Sequence, residues 1–333
     1  MKKTKIAING FGRIGRVTAR FILEKSNLEL VAINDLTDAK TLGHLFQYDS
    51  VHGKWKEKVT TNENSLFIGN KEIQVLSERD PEKLPWKSLG IDVVIESTGF
   101  FRTEESASKH LIAGAKKVII SAPAKAGNVK TIVFGVNDSI LDGTEKIISN
   151  ASCTTNCATP MIQLIDDLCG IEHGFLTTIH SYTGDQKLHD SPHRDLRRAR
   201  AAAVSIIPTT TGAAKAVTKI LPHLDGKLIG NAIRVPVPDG SITELTLTVK
   251  NIKTIEKINQ AFLKATENQY KNIVSYNEDP IVSIDIIGDK NSCIFDSTLT
   301  AVIGNTIKIS GWYDNEAGYS ARLVDLVMLL SGK

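Results

Sequence analysis

The chain of 333 residues is poor in the features that would set it apart from ordinary globular proteins. It has four cysteines, Cys153, Cys157, Cys169 and Cys293. So few thiols in so long a chain exclude a disulfide framework and fit reduced side chains in the cytoplasm. No apolar run approaches the ~20 residues of a membrane span. The N-terminus, Met1-Lys2-Lys3-Thr4-Lys5-Ile6-Ala7-Ile8, passes from charge straight into a short apolar run, without the core of a signal peptide. The net charge of +3 is too small to argue for nucleic acid or a membrane surface. No low-complexity linker, internal repeat or long charge block interrupts the chain.

What is present fits two domains of roughly 150 residues each with a sizeable core. Apolar residues make up 41% and charged residues 23%, an ordinary globular balance. Over residues 1–150, short apolar runs alternate with helical patterns. The runs are Ile6 to Ile8, Leu30 to Ile33, Ile91 to Ile95, Val118 to Ile120 and Thr131 to Val136. Between the first two, Arg13 to Lys25 places Ile14, Val17, Phe21 and Ile22 on one helical face. Such a succession predicts an α/β domain with a doubly wound parallel sheet covered on both faces.

After residue 150 the pattern changes. A helix is predicted from about Thr154 to Leu168, and another within Asn251 to Lys264, where Ile255, Ile258 and Phe262 share a face. Leu245, Leu247 and Val249, and later Ile307 and Ile309, alternate with polar residues. That alternation predicts a mostly antiparallel sheet backed by helices, an α+β catalytic domain over residues 151–316. Gly318 to Leu330 reads as a helix with Leu323, Leu326, Val327 and Leu330 inward. The expected site is the cleft between the domains.

Gly10-Phe11-Gly12-Arg13-Ile14-Gly15 matches G-x-G-x-x-G, after a strand and at the start of a helix. The first glycine makes the turn, the second admits a pyrophosphate, and the third lets the helix pack on the strand; Ile14 starts the buried face. Asp35 ends the second strand, twenty positions after Gly15. A carboxylate there binds ribose hydroxyls and repels a 2′-phosphate, favouring NAD over NADP. Arg79 and Ser97-Thr98-Gly99 line the adenine and nicotinamide ends or are simply surface loops.

The thiol comes next. Cys153 lies in Ala151-Ser152-Cys153-Thr154-Thr155-Asn156-Cys157, where a loop meets a helix whose positive end lowers a thiol pKa. His180, at the end of the apolar strand Thr177-Thr178-Ile179, supplies a base. The polar neighbours of Cys153 argue against an inert buried thiol, whereas Cys157, one turn on, reads as structural. The spacing of Cys153, Cys157, His180, His189 and His193 is not a usual zinc pattern, and no metal is expected. A Cys-His hydrolase would leave the glycine fingerprint unexplained.

Two anion sites complete the pattern. Thr209-Thr210-Thr211-Gly212-Ala213-Ala214-Lys215 opens a helix with hydroxyls and free N–H groups. Arg194, Arg197, Arg198 and Arg200 cluster upstream, and Arg234 follows a separate strand. The cluster is either phosphate-binding or a solvated or subunit-interface patch, the latter for two or three of its four members. Lacking interleaved aromatics, it does not read as a nucleic-acid surface.

Along essentially its whole length the chain resembles the phosphorylating glyceraldehyde-3-phosphate dehydrogenase family. The motifs are Ile8-Asn9-Gly10-Phe11-Gly12-Arg13-Ile14-Gly15-Arg16, the Ser152-to-Cys157 run, Asp195-Leu196-Arg197-Arg198-Ala199-Arg200, the Thr209-to-Ala214 run and Trp312-Tyr313-Asp314-Asn315-Glu316. The resemblance implies a Rossmann-type NAD domain, to which the C-terminal helix 317–333 returns. It implies Cys153 as nucleophile and His180 as base, acting through a thiohemiacetal and a thioester on glyceraldehyde 3-phosphate. Ser152, Thr154, Thr211 and Gly212 would hold inorganic phosphate. Thr183, Arg198 and Arg234 would hold substrate or the attacking phosphate. Asn315 would orient the nicotinamide carboxamide, near Ser121. A homotetramer is implied, with Tyr182 to Ala201 shaping a neighbouring subunit's cofactor site.

Three positions depart from the family pattern: Gly184 for Asn or Ala, Ser121 for Thr, and Ser191 for the Leu frequent in NAD-specific members. The last weakens the exclusion of NADP. The nearest rival is the erythrose-4-phosphate dehydrogenase relative, which hydrolyses its thioester; Thr183 and Thr210-Thr211-Gly212 weigh against it. A binding protein without activity would leave the thiol, base and phosphate set unexplained.

Overall fold

A computed structural model describes Lys3 to Gly332. The chain divides into two compact units. One runs to Ile132, takes up Ser139–Ala151 and regains the chain from Ser320; the other holds Val133–Asp138 and Ser152–Tyr319.

In the first unit, β1 (Thr4–Asn9), α1 (Arg13–Leu23) and β2 (Leu28–Asn34) form the opening βαβ. There follow α2 (Ala39–Gln47), the short pair β3 (Tyr48–Asp49) and β4 (Gly53–Lys54), then β5 (Val59–Thr61), β6 (Ser65–Ile68) and β7 (Lys71–Leu76). After these come α3 (Trp86–Leu89), β8 (Val93–Glu96), α4 (Glu104–Ile112), β9 (Lys117–Ile120), β10 (Lys130–Thr131) and β11 (Ile147–Ser149). The sheet order is β10-β11-β9-β8-β1-β2-β7-β6-β5. From β10 to β7 all neighbours are parallel. The strand order reverses around β1, so the loops after β1 and β8 open where nucleotides bind in such sheets.

Two features differ from the sequence expectation. First, β5 and β6 add an antiparallel edge to the parallel sheet. Only Gly69 and Asn70 separate β6 from β7, and a two-residue connection permits antiparallel pairing alone. Second, the Thr131 to Val136 run is not one strand. β10 ends at Thr131, and the residues beyond fold into a turn in which Val136 N donates to Val133 O at 3.0 Å. Phe134 and Val136 pack on the core of the second unit, which accounts for their apolar character.

The second unit opens with α5 (Cys153–Cys169) and β12 (Ile171–Ser181). It continues with β13 (Ile207–Thr210), α6 (Ala213–Ile220), β14 (Leu228–Val235), β15 (Ser241–Val249), α7 (Ile255–Glu267), β16 (Val274–Asn277), β17 (Cys293–Asp296), β18 (Ala301–Ile303) and β19 (Thr306–Tyr313). Its sheet runs β13-β14-β12-β15-β19-β17-β16, with β18 beside β19. Pairing is antiparallel except at β12/β14 and β16/β17. Along β15 burial alternates residue by residue, as the period-two pattern requires. The inner face meets Met161, Ile162 and Ile165 of α5 and Ile258 and Phe262 of α7, with the Phe262 ring stacked 3.7 Å from Phe295. The last helix, α8 (Ala317–Ser331), buries Leu323, Leu326, Val327 and Leu330. The fold is thus a doubly wound α/β unit with an α+β unit.

Candidate active site

The glycine fingerprint of the first unit has the geometry its spacing implies. Gly10 adopts φ +91, and a Cβ there would meet the Ser97–Thr98 backbone at 2.7 Å. At Gly15 a Cβ would sit 2.2 Å from Gly10 O, so only glycine lets α1 pack this closely. Nothing lies within 4 Å of the corresponding point at Gly12, which leaves room for a ligand's phosphates. Phe11 N donates to Asp35 Oδ2 at 2.8 Å and Thr37 N to Oδ1 at 3.0 Å, fixing the carboxylate at the end of β2. A cavity of about 640 Å³ is lined by Gly10, Gly12, Asp35, Leu36, Arg79 and Phe100, with Ser97 and Thr98 also at its wall. Arg13 is spoken for: its guanidinium grips Asp49 at 2.6 and 3.0 Å, so any contribution to a phosphate comes from the backbone at the start of α1. Ile14 is half-buried on α1, and Ser121 follows β9, its N donating to Glu96 O at 2.9 Å.

A buried polar network underlies these loops, and nothing in the sequence pattern announced it. Glu96 Oε2 accepts from Asn9 Nδ2 at 2.6 Å and from His110 Nε2 at 3.0 Å. Its Oε1 accepts from Thr98 N at 2.8 Å and from the Thr98 hydroxyl. Trp86 Nε1 donates to His110 Nδ1 at 3.0 Å, so the imidazole proton must sit on Nε2, toward Glu96. Asn34 Nδ2 donates to Asn9 Oδ1 at 2.7 Å and to Glu78 O at 2.8 Å. The ends of β1, β2 and β8 and the loop after β7 are thereby tied together.

In the second unit the reactive groups converge from strand ends. The parallel β12/β14 register sets His180 opposite Arg234, and the β15/β19 register sets Ser241 opposite Tyr313. The first turn of α5 brings Cys153 to them, with Sγ 3.4 Å from His180 Nε2. The preceding Ala151 holds φ +56, a strained value for a residue with a side chain. Ser152 caps α5, its Oγ accepting from Thr155 N at 3.1 Å. Thr154 Oγ1 lies 2.9 Å and Thr178 Oγ1 2.8 Å from the Tyr313 hydroxyl, whose ring stands edge-on to His180.

The electrostatics run against the charged forms. Burial pushes the Cys153 thiol up to about 11, against the pull of the Arg234 guanidinium and the Thr154 N–H. Burial, then Arg234, pushes the His180 imidazole down to about 3. The helix end does not activate the thiol by itself, contrary to the sequence expectation, because desolvation outweighs it. The resting pair is neutral. His180 Nδ1 lies 2.8 Å from Ser181 O, and Arg234 reaches both Nδ1 and that carbonyl at 2.8 Å. Nδ1 thus meets both an acceptor, the Ser181 carbonyl, and a donor, the Arg234 guanidinium, while Nε2 faces the thiol.

Asn315 Oδ1 accepts from Ser181 Oγ at 2.9 Å and Ser241 Oγ at 2.7 Å. The two hydroxyls fix the amide so that Nδ2 is the outward donor, which suits a carboxamide oxygen. Ser181, Ser241, Thr178 and Tyr313 had no role in the sequence reading, because only sheet register brings Ser181 and Ser241 to Asn315, and Tyr313 to Thr178 and His180.

The arginine cluster divides. Arg194, Arg197 and Arg200 are exposed, and Arg200 pairs with Asp190 at 2.8 Å. Arg198 turns inward, its Nε donating to Thr209 Oγ1 at 3.0 Å and its second amino group meeting Asp185 Oδ2 at 2.8 Å. Burial and then the Arg198 charge lower the Arg234 pKa, so the two guanidiniums are near enough to feel each other's charge. Thr211 Oγ1 accepts from Ala213 N at 3.2 Å, and Gly212 caps α6 in the open. Thr183 follows β12, half-buried, its carbonyl accepting from Gln186 N at 2.9 Å.

A doubly wound nucleotide unit and a unit bearing a thiol–imidazole pair beside arginines define a class, the nucleotide-linked dehydrogenases that work through a cysteine. The family model for the NAD-binding domain of glyceraldehyde 3-phosphate dehydrogenase matches residues 4–104, and that for its C-terminal domain residues 152–315. The chain is 58% identical over 329 residues to glyceraldehyde-3-phosphate dehydrogenase of Thermotoga maritima, covering 98% of each. It is 56% identical over 326 residues to that of Clostridium acetobutylicum, covering 96% of each. For the Geobacillus stearothermophilus protein the identity is 53% over 331 residues, covering 99% of this chain and 98% of the other. The chain belongs to the glyceraldehyde-3-phosphate dehydrogenase family. No helix among the described residues is long and apolar enough to cross a membrane.

Proposed function

We propose that the chain oxidises D-glyceraldehyde 3-phosphate with NAD and inorganic phosphate to 1,3-bisphosphoglycerate, in glycolysis or its reverse, as a cytoplasmic homotetramer. The observation that carries this reading is Cys153 Sγ lying 3.4 Å from His180 Nε2, with the Arg234 guanidinium 2.8 Å from the other nitrogen of the same imidazole. The backbone of Gly10, Phe11, Gly12 and Arg13, the carboxylate of Asp35, and Arg79, Ser121 and Asn315 hold the cofactor. Bound NAD supplies the hydride acceptor.

Cys153 attacks the aldehyde carbon and His180 Nε2 takes the thiol proton, then returns one to the new alkoxide. As the thiohemiacetal is oxidised, the same nitrogen removes the hydroxyl proton, leaving a thioester on Cys153. Arg198, Arg234 and Thr183 neutralise the substrate phosphate. Ser152, Thr154, Thr211 and Gly212 seat inorganic phosphate, through hydroxyls and the N–H groups at the starts of α5 and α6. Its oxygen attacks the thioester carbon, and the thiolate leaves to recover its proton. The Asp35 carboxylate, fixed by two N–H groups, favours NAD over its 2′-phosphorylated relative.

The test is NADH formation from glyceraldehyde 3-phosphate with and without phosphate, with erythrose 4-phosphate run beside it. Turnover should require phosphate, prefer the triose and disappear in Cys153→Ser. Turnover indifferent to phosphate and faster with the tetrose would instead identify the hydrolysing relative.

A further inference from the structure

Asp185 has no role in the cycle above, yet its carboxylate sits where a ligand's charge belongs. Its Oδ2 is 2.8 Å from an Arg198 amino group and 3.3 Å from His193 Nε2. Arg198 does not need Asp185 to aim it. Its Nε is held by Thr209 Oγ1 at 3.0 Å and its other amino group reaches Thr210 O at 3.4 Å, so its own loop sets the guanidinium plane. Asp195, the other carboxylate near it, is tied down by the Thr209 hydroxyl at 2.7 Å. Asp185 comes from the open side: its side chain is 51% exposed and that of Arg198 17%. Before it stands Gly184, with nothing within 4 Å of a Cβ position, so this stretch of the loop is open on that side.

We propose that Asp185 is an internal stand-in for phosphate, which holds Arg198 until an incoming phosphate displaces it and thereby sets how tightly phosphate is taken. The idea rests on the reading of Arg198 as a phosphate holder. Two guanidiniums and no counter-charge would be costly in a partly buried site, and one carboxylate offsets that cost in the free protein. Asp185 acts on Arg234 as well, raising its pKa. Burial works against the Asp185 charge, but Arg198 and then His193 outweigh it and hold the carboxyl below its usual range. A phosphate dianion brings more charge and more acceptors than the carboxylate, so it wins the fork. Asp185 keeps His193 when it yields. The price of the device is affinity: each phosphate must first break an ion pair.

The experiment measures KM for inorganic phosphate and for the phosphorylated aldehyde in four full-length proteins: wild type, Asp185→Asn, Arg198→Ala and the double variant. Asp185→Asn should lower one KM by about threefold to tenfold, the one lowered naming the phosphate that Arg198 serves, while kcat stays within about twofold. In the Arg198→Ala background the same change should do nothing. If Asp185→Asn leaves both KM values unchanged or raises them while Arg198→Ala raises one, Asp185 aims Arg198 and the proposal fails alone. An equal fall in both backgrounds would show a diffuse charge effect and would also overturn it. Should Arg198→Ala move neither KM, the reading of Arg198 fails and the proposal with it.

Discussion

Glu96 and Asp239 are both buried carboxyls, one in each unit, and they are treated in opposite ways. Glu96 receives four donors, from Asn9, His110 and twice from Thr98. Asp239 accepts from Gly240 N at 2.9 Å and is set against the charges of Asp314 and Glu316. The same contrast runs through each unit. Under the nucleotide loops the polar groups satisfy one another, and the result is a rigid floor. Around Cys153 the thiol, the His180 imidazole and the Arg234 guanidinium are held in surroundings that oppose their charges. A binding surface gains from being saturated beforehand. A reacting centre gains from keeping charge that only substrate or transition state relieves, which is why perturbed groups collect there.

The largest effect should come from breaking the reacting centre alone. His180→Asn removes the imidazole nitrogen at 3.4 Å from Sγ, the proposed base. NADH formation should fall about 10²- to 10⁴-fold. The dissociation constant for NAD, read by fluorescence, should stay put. A large loss of NAD binding would mean that the two regions are not separable.

The converse variant is Glu96→Gln. An amide in place of the carboxylate turns a donor onto Asn9 and His110 or onto Thr98, leaving buried donors unpaired at about 1–3 kcal/mol each. NAD should bind roughly tenfold more weakly, and the melting temperature should fall. The rate at which iodoacetamide alkylates Cys153 should not change. Stopped-flow alkylation that slowed together with NAD binding would contradict the separation.

What could be read from the sequence divides along the same line. The glycine fingerprint, Asp35 and the Cys153 helix start were legible because each is a local device whose spacing is its mechanism. His180 was legible as a strand end. The network of Glu96, His110 and Trp86 was not, since its members lie on three elements and look like ordinary core residues. Neither was Asn315's orientation by Ser181 and Ser241, which depends on the register of separate strands. The Thr131 to Val136 run misled because Phe134 and Val136 are apolar for the sake of the other unit's core. The thiol's shift had the wrong sign because a helix terminus shows in sequence and desolvation does not.

The smallest and most diagnostic effect concerns Asp239. Burial first, then the Asp314 charge, raises its pKa from 3.8 to about 9. Over that interval the folded chain keeps a proton that the unfolded chain has released. The stability this group contributes is therefore complete below about pH 4 and is lost as pH rises through about 9. Asp239→Asn keeps the shape and cannot ionise. It should melt with the wild type near pH 4 and a few degrees above it by pH 8–9, the gap opening steadily between. Calorimetry across that range reads the difference directly. A wild type that melts higher than the variant at pH 8 would mean that Asp239 carries a well-satisfied charge, as Glu96 has the donors to do, and the contrast between the two buried carboxyls would be lost.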